Sequence, residues 1–139
     1  MTTVMVFGTF DLLHPGHHYK LQKAKNYGKH LIVVVARDKT VLEVKGMKPV
    51  HGEKERMVNL RKLPYVDTVV LGNVGDKYAV VEKHNPDILC LGYDQRTYTQ
   101  GLKKVLAERS VHPRIVRFRK AHKPEVHKTS VLRKKLGLY

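Results

Sequence analysis

This sequence predicts an α/β fold: a Rossmann-like, doubly wound parallel sheet of about five strands with helices on both faces. Three observations point there. Short continuous apolar runs, VMVF, LIVVV and ILCL among them, recur along the chain, and an unbroken run is what a strand buried on both faces looks like. Amphipathic stretches of helical length separate these runs, as expected of parallel strands joined by helical crossovers. Glycine and proline mark the joints, at Gly8, Pro15, Gly28 and Pro86.

Taken in order, strands are expected over residues 3–7, 30–36, 68–71, 88–91 and 114–118. The first helix should open at Pro15 or Gly16, because proline suits a first helical turn, and run to about residue 26 before Gly28 stops it. A second begins near Gly52 and carries Met57 and Leu60 inward. A third covers residues 76–84 and ends before the Asn85-Pro86 breaker. A fourth, over residues 100–108, sets Leu102, Val105 and Leu106 on one face. Thr129 or Ser130 caps a final helix reaching Leu136. The segments 38–52 and 119–128 read as the mobile loops, the first with Gly46, Pro49 and Gly52 in it. Ligands of such a sheet bind beyond the carboxyl ends of its strands.

The 139 residues suit one domain spanning 1–139, with a single core. No stretch approaches the roughly 18 apolar residues of a membrane helix, and MTTVMVFG lacks the parts of a secretory signal. A soluble, cytoplasmic protein with no membrane partner is expected. One cysteine, Cys90 in the apolar run ILCL, excludes an internal disulfide framework and a multi-cysteine zinc site. The net charge of +15 draws anions: nucleotides, phosphorylated metabolites or nucleic acid. Nucleic acid is the weaker reading, since neither zinc-finger spacing nor an RNA-recognition aromatic motif occurs and Tyr and Phe do not gather in the basic C-terminal third.

The chemistry concentrates in GTFDLLHPGH. Gly8-Thr9-Phe10-Asp11 follows the first strand directly, and His14-Pro15-Gly16-His17 opens the first helix. A strand end, a tight turn and a helix N-terminus therefore meet, which is a phosphate-binding arrangement. Gly8 and Gly16 keep side chains away from an approaching triphosphate, while exposed amides and the positive helix end favour its charge. His14 and His17, three residues apart, can both aim ring nitrogens at one phosphate. No Ser-His-Asp or Cys-His arrangement and no metal-ligand cluster can be argued from the sequence.

At these residues the chain resembles the cytidylyltransferase-like branch of the HIGH-type nucleotidyltransferases, and the similarity extends through KGMKP at 45–49, GEKER at 52–56, YVD at 65–67, LGYDQ at 91–95 and Thr129-Ser130. The resemblance implies that His14 and His17 stabilise the transition state at the nucleotide α-phosphate, that backbone near Thr9 and Phe10 holds the nucleotide, and that the protein is a homodimer. VARDKTV at 35–41, LGYDQ and RIVRFR at 114–119 look most like archaeal FAD synthases, which join AMP from ATP to FMN. Glycerol-3-phosphate cytidylyltransferases compete, but Pro64 stands where their pattern carries an arginine and GYDQ where it carries GDDW.

Other candidates stand on single features. Lys45 and Lys48, in the Gly/Pro-marked loop, are placed to neutralise phosphates, with Lys45 the stronger catalytic candidate. Arg56 either holds that loop or meets a substrate phosphate. Gly92 and Asp94 follow the fourth strand, where a carboxylate can accept from a base or ribose. Arg119 ends the last strand and can stack on a nucleotide. Thr129 and Ser130 present a helix start to the outer phosphates. Tyr78, Tyr93 and Tyr98 serve either as packing or as a stack for an isoalloxazine ring. The expected partners are ATP and FMN, with no specific nucleic acid. Mg2+ or another divalent cation arrives with ATP rather than on protein ligands.

Overall fold

The computed structural model describes residues 2–91 and 101–118. Five parallel strands form one sheet in the order β3-β2-β1-β4-β5, with β1 (Thr3–Gly8), β2 (His30–Val35), β3 (Thr68–Leu71), β4 (Ile88–Leu91) and β5 (Arg114–Arg117). The helices are α1 (Pro15–Lys25), α2 (Asp38–Lys45), α3 (Glu53–Arg61), α4 (Ala79–His84) and α5 (Leu102–Glu108).

Alternation along each central strand splits the core in two. Val4 and Val6 of β1, Leu31, Val33 and Val35 of β2, and Cys90 of β4 pack with Leu21 and Ala24 of α1 and Leu60 of α3. Met5, Ile32, Val34, Leu89 and Leu91 turn the other way, against Val80 and Val81 of α4 and Leu102 and Leu106 of α5. Successive side chains of a strand point to opposite faces, so a strand apolar throughout must be covered twice. The sheet is therefore doubly wound, with helices on both faces. Strand order reverses between β1 and β4, which pair directly from Val4–Ile88 to Val6–Cys90. A ligand crevice belongs outside the carboxyl ends of these two strands, and Gly8 ends β1 there.

All five expected strands are present, with ends shifted by a residue at most: β1 gains Gly8, β2 stops at Val35 and β5 at Arg117. Two helices are shorter than expected. Asp76 to Tyr78 form a turn, closed by the Tyr78 amide on Asp76 Oδ1 (3.1 Å), before α4 begins at Ala79. In α5, Leu102 and Leu106 are buried and Val105 half-buried. Gln100, the segment 119–128 and the final helix from Thr129 or Ser130 lie outside the described residues.

The expected loop over 38–52 is corrected. Residues Asp38–Lys45 form α2, which ends at Gly46 with φ 77° and the Gly46 amide on Leu42 O (2.9 Å). Glu53 accepts from the Asp38 amide through Oε1 (2.9 Å), and Asp38 Oδ2 accepts from the Glu53 amide (3.2 Å), so α2 and α3 cap each other reciprocally. No helix of the described residues is long and apolar enough to cross a membrane.

Candidate active site

The site grows from the turn between β1 and α1. Phe10 adopts φ 52°, a left-handed conformation that a bulky residue rarely takes. Its ring is buried and occupies the space beside Gly8, where an added Cβ would meet ring carbons at 2.6 and 2.7 Å. Glycine is thus required there by Phe10 itself. The Phe10 ring meets His17 edge to face at 5.4 Å between centroids, and the Lys20 ammonium lies 5.7 Å from its centre. Lys20 also donates to Phe7 O (2.8 Å), tying α1 back to the end of β1.

His14 is the N-cap of α1, and its Nδ1 accepts from the Gly16 amide (3.1 Å). An accepting Nδ1 carries no proton, so in the neutral ring the hydrogen sits on Nε2, the nitrogen available to a ligand. The two imidazoles stack, with centroids 3.8 Å apart and planes 23° apart. Burial, then the neighbouring His14, Lys20, Lys45 and His18, lower the His17 pKa to about 2. His17 is accordingly neutral near pH 7. Its Nδ1 is buried with no hydrogen-bond partner among the described residues. A buried polar atom without a partner is costly, and in a native fold it asks for an explanation. A ligand supplying a phosphate oxygen is one.

Around the turn lies a polar frame. Buried Asp11 accepts from the amides of Val50 (2.7 Å) and His51 (2.8 Å), fastening the segment between α2 and α3 to the β1–α1 turn. Arg56 is fully buried and donates to Thr9 O (2.7 Å), His51 O (3.0 Å) and Asp38 Oδ1 (2.7 Å). With these acceptors supplied by the protein, Arg56 holds the loops together rather than meeting a substrate phosphate. It also commits the Thr9 carbonyl.

A profile of the Cytidylyltransferase-like family matches residues 5–135. The chain belongs to this family. Within it, the protein is 40% identical over 134 residues to "FAD synthase" of Thermococcus sibiricus, covering 96% of this chain and 90% of that one. It is 41% identical over 135 residues to "FAD synthase" of Methanothermus fervidus, covering 95% and 92%. Among solved structures, the lipopolysaccharide core biosynthesis protein of Thermoplasma volcanium superposes with a TM-score of 0.81 at 38% identity, over 86% of this chain and 98% of that one.

Of the residues expected at this family's site, the structure brings together Gly8, Thr9, Phe10, His14, Gly16 and His17 at the carboxyl end of β1. Lys45 is the last residue of α2, not a loop residue, and its charge contributes to lowering the His17 pKa. Lys48 is exposed in the segment after α2. Gly92, Asp94, Tyr93, Tyr98, Arg119, Thr129 and Ser130 lie outside the described residues. Half-buried Tyr78 packs on the α4–α5 side of the sheet, with Arg109 5.7 Å from its ring centre. Pro64 falls in the α3–β3 segment, and nearby Asp67 bonds Leu31 at the start of β2, the edge of the sheet opposite Gly8. Tyr65, the residue after Pro64, shares a 2.6 Å hydrogen bond with His18 Nδ1, so this segment adjoins the helix that carries His17.

Sequence reasoning missed Asp11 and Lys20. Asp11 was in view inside GTFD, and Lys20 stands three residues after His17, one helical turn along the same face. Among the described residues, no group of three or more His, Cys, Asp and Glu is arranged to hold a metal ion.

Proposed function

We propose that this chain transfers AMP from ATP to FMN, giving FAD and pyrophosphate. The observation that carries the reading is the stacked pair of buried His14 and half-buried His17 at the end of the central strand, with His17 Nδ1 buried and left without a partner among the described residues. A phosphate oxygen of FMN attacks the α-phosphorus in line; the bond from that phosphorus to the bridging oxygen of the β-phosphate breaks, and pyrophosphate leaves with the electron pair. Such chemistry asks for positioning and charge stabilisation rather than a protein nucleophile. His14 Nε2–H donates to the α-phosphate, and His17 supplies a second nitrogen beside it. Charge developing on the phosphate favours a proton on the ring, so the donor strengthens as the transition state forms.

Lysines and imidazoles dominate the donor set, which suits anions better than a resident cation. A divalent ion, Mg2+ in the first instance, would be held by the triphosphate's own oxygens and supply charge neutralisation there. The reading includes ATP and FMN as partners, no specific nucleic acid, and a homodimer working in the cytoplasm.

The test is incubation with ATP, Mg2+ and FMN, followed by separation of FAD and pyrophosphate. ATP should exceed CTP in kcat/KM by at least about tenfold, equivalent to roughly 1.4 kcal/mol of differential transition-state binding. Equal or better use of CTP would remove the adenylyl assignment and leave nucleotidyl transfer standing.

A further inference from the structure

We infer that the exposed apolar side chains of Leu42, Met47 and Val50 form the seat on which the fused ring of the acceptor lies, with Lys45 and Lys48 taking its phosphate; the inference rests on FMN being the acceptor. These three residues are 42%, 37% and 39% exposed. Elsewhere the aliphatic residues of the central strands are buried on one face or the other. With Val44, four large apolar groups are left in water within nine residues, and this local concentration needs a reason, because each buried methylene is worth about 0.8 kcal/mol.

Their location supplies one. Val50 belongs to the pair of amides that Asp11 fastens to the β1–α1 turn, at 2.7 and 2.8 Å, so this segment is held against the proposed nucleotide site. Leu42 precedes Lys45 by three residues on α2 and shares its face. Lys45 is near enough to contribute to the shift at His17. Met47 follows two residues later, beside Lys48. The stretch from 42 to 50 thus offers cationic groups and an apolar surface in one short length, matched to a molecule that carries a phosphate at one end and a flat apolar body at the other. A phosphorylated three-carbon alcohol would use only the cations. Val44 is 77% exposed but stands about 100° around the helix from Lys45, so it falls outside the seat.

The experiment compares the wild type with Leu42→Ser, Met47→Ser and the double variant. FMN binding is read from flavin fluorescence, KM for FMN and for ATP from FAD formation, and mass from size-exclusion chromatography with light scattering. Each single variant should weaken FMN binding and raise its KM by about tenfold, leave the KM for ATP within about twofold, and keep the wild-type mass. Leu42→Met and Met47→Leu should restore both values, and Val44→Ser should behave as wild type.

FAD formation by the wild type with unchanged FMN constants in both serine variants overturns the seat while the proposed reaction stands. FMN binding that the serine variants weaken, without FAD formation by the wild type, upholds the seat and removes the reaction. A change of mass with no change in FMN binding assigns the surface to a second copy of the chain and overturns the seat. Absence of both FMN binding and turnover in the wild type removes both.

Discussion

His14 and His17 stand one helical turn apart yet use their Nδ1 atoms in opposite ways. His14 spends Nδ1 on the Gly16 amide, which fixes its proton on Nε2. The Nδ1 of His17 is buried with no partner among the described residues. If His17 acts on the transition state, His17→Ala should lower kcat by about 10²-fold or more while the KM for ATP changes by no more than about threefold. Steady-state kinetics with FMN saturating measure both; a kcat within threefold of wild type would exclude His17 from the chemistry. Arg56 shows the limit of reading single residues. As a sequence feature it was equally suited to loop and substrate, because an arginine's burial depends on acceptors brought from three separate segments. Thr9, His51 and Asp38 decide the matter only once the chain is folded.

Among the elements, the strands were the most legible, because β1, β2 and β4 are apolar at nearly every position and only a doubly covered strand satisfies such a run. Helix α1 was equally clear from Pro15 and Gly28. Helix α2 was not. DKTVLEVK buries Val41 alone, and Thr40, Val41 and Val44 are β-branched with modest helix propensity. Its stability comes from outside, through Glu53 on the Asp38 amide and Arg56 on the Asp38 carboxylate. Gly46, taken as loop punctuation, is its left-handed stop. A Cβ at Gly46 would meet nothing within 4 Å, so Gly46→Ala should cost about 1 kcal/mol through backbone conformation alone. Urea denaturation tests this: an unchanged midpoint would show that the turn does not need φ 77°, and a loss above about 3 kcal/mol would mean that packing is involved.

For the whole molecule, half-buried His17 bears on acid stability. The folded pKa of His17 is about 2, against an ordinary value of 6.5. Below about pH 6.5 the unfolded chain binds a proton that the folded chain refuses, so stability is complete above that pH and falls as the pH drops. The slope from this group is at most about 1.4 kcal/mol per pH unit. His84, lowered chiefly by burial and then by Lys83, acts in the same direction. Asp67 and Asp76, lowered by bonds to Lys25 and Arg109, add losses only below about pH 4. Unfolding free energies between pH 4.5 and 7.5 should therefore decline on the acid side in the wild type and flatten in His17→Gln. An equal slope in both would show that His17 is not the group responsible.

The cap of α1 sits where two selective pressures part. Serine, asparagine and aspartate are the favoured residues at a helix N-cap, so a lineage selected only for a durable fold would be expected to drift toward them at position 14. On the proposed reaction, a histidine that fills the cap through Nδ1 and keeps its other nitrogen for the α-phosphate is a compromise. On that proposal the N-cap of α1 exchanges some helix stability for a nitrogen donor aimed at the substrate.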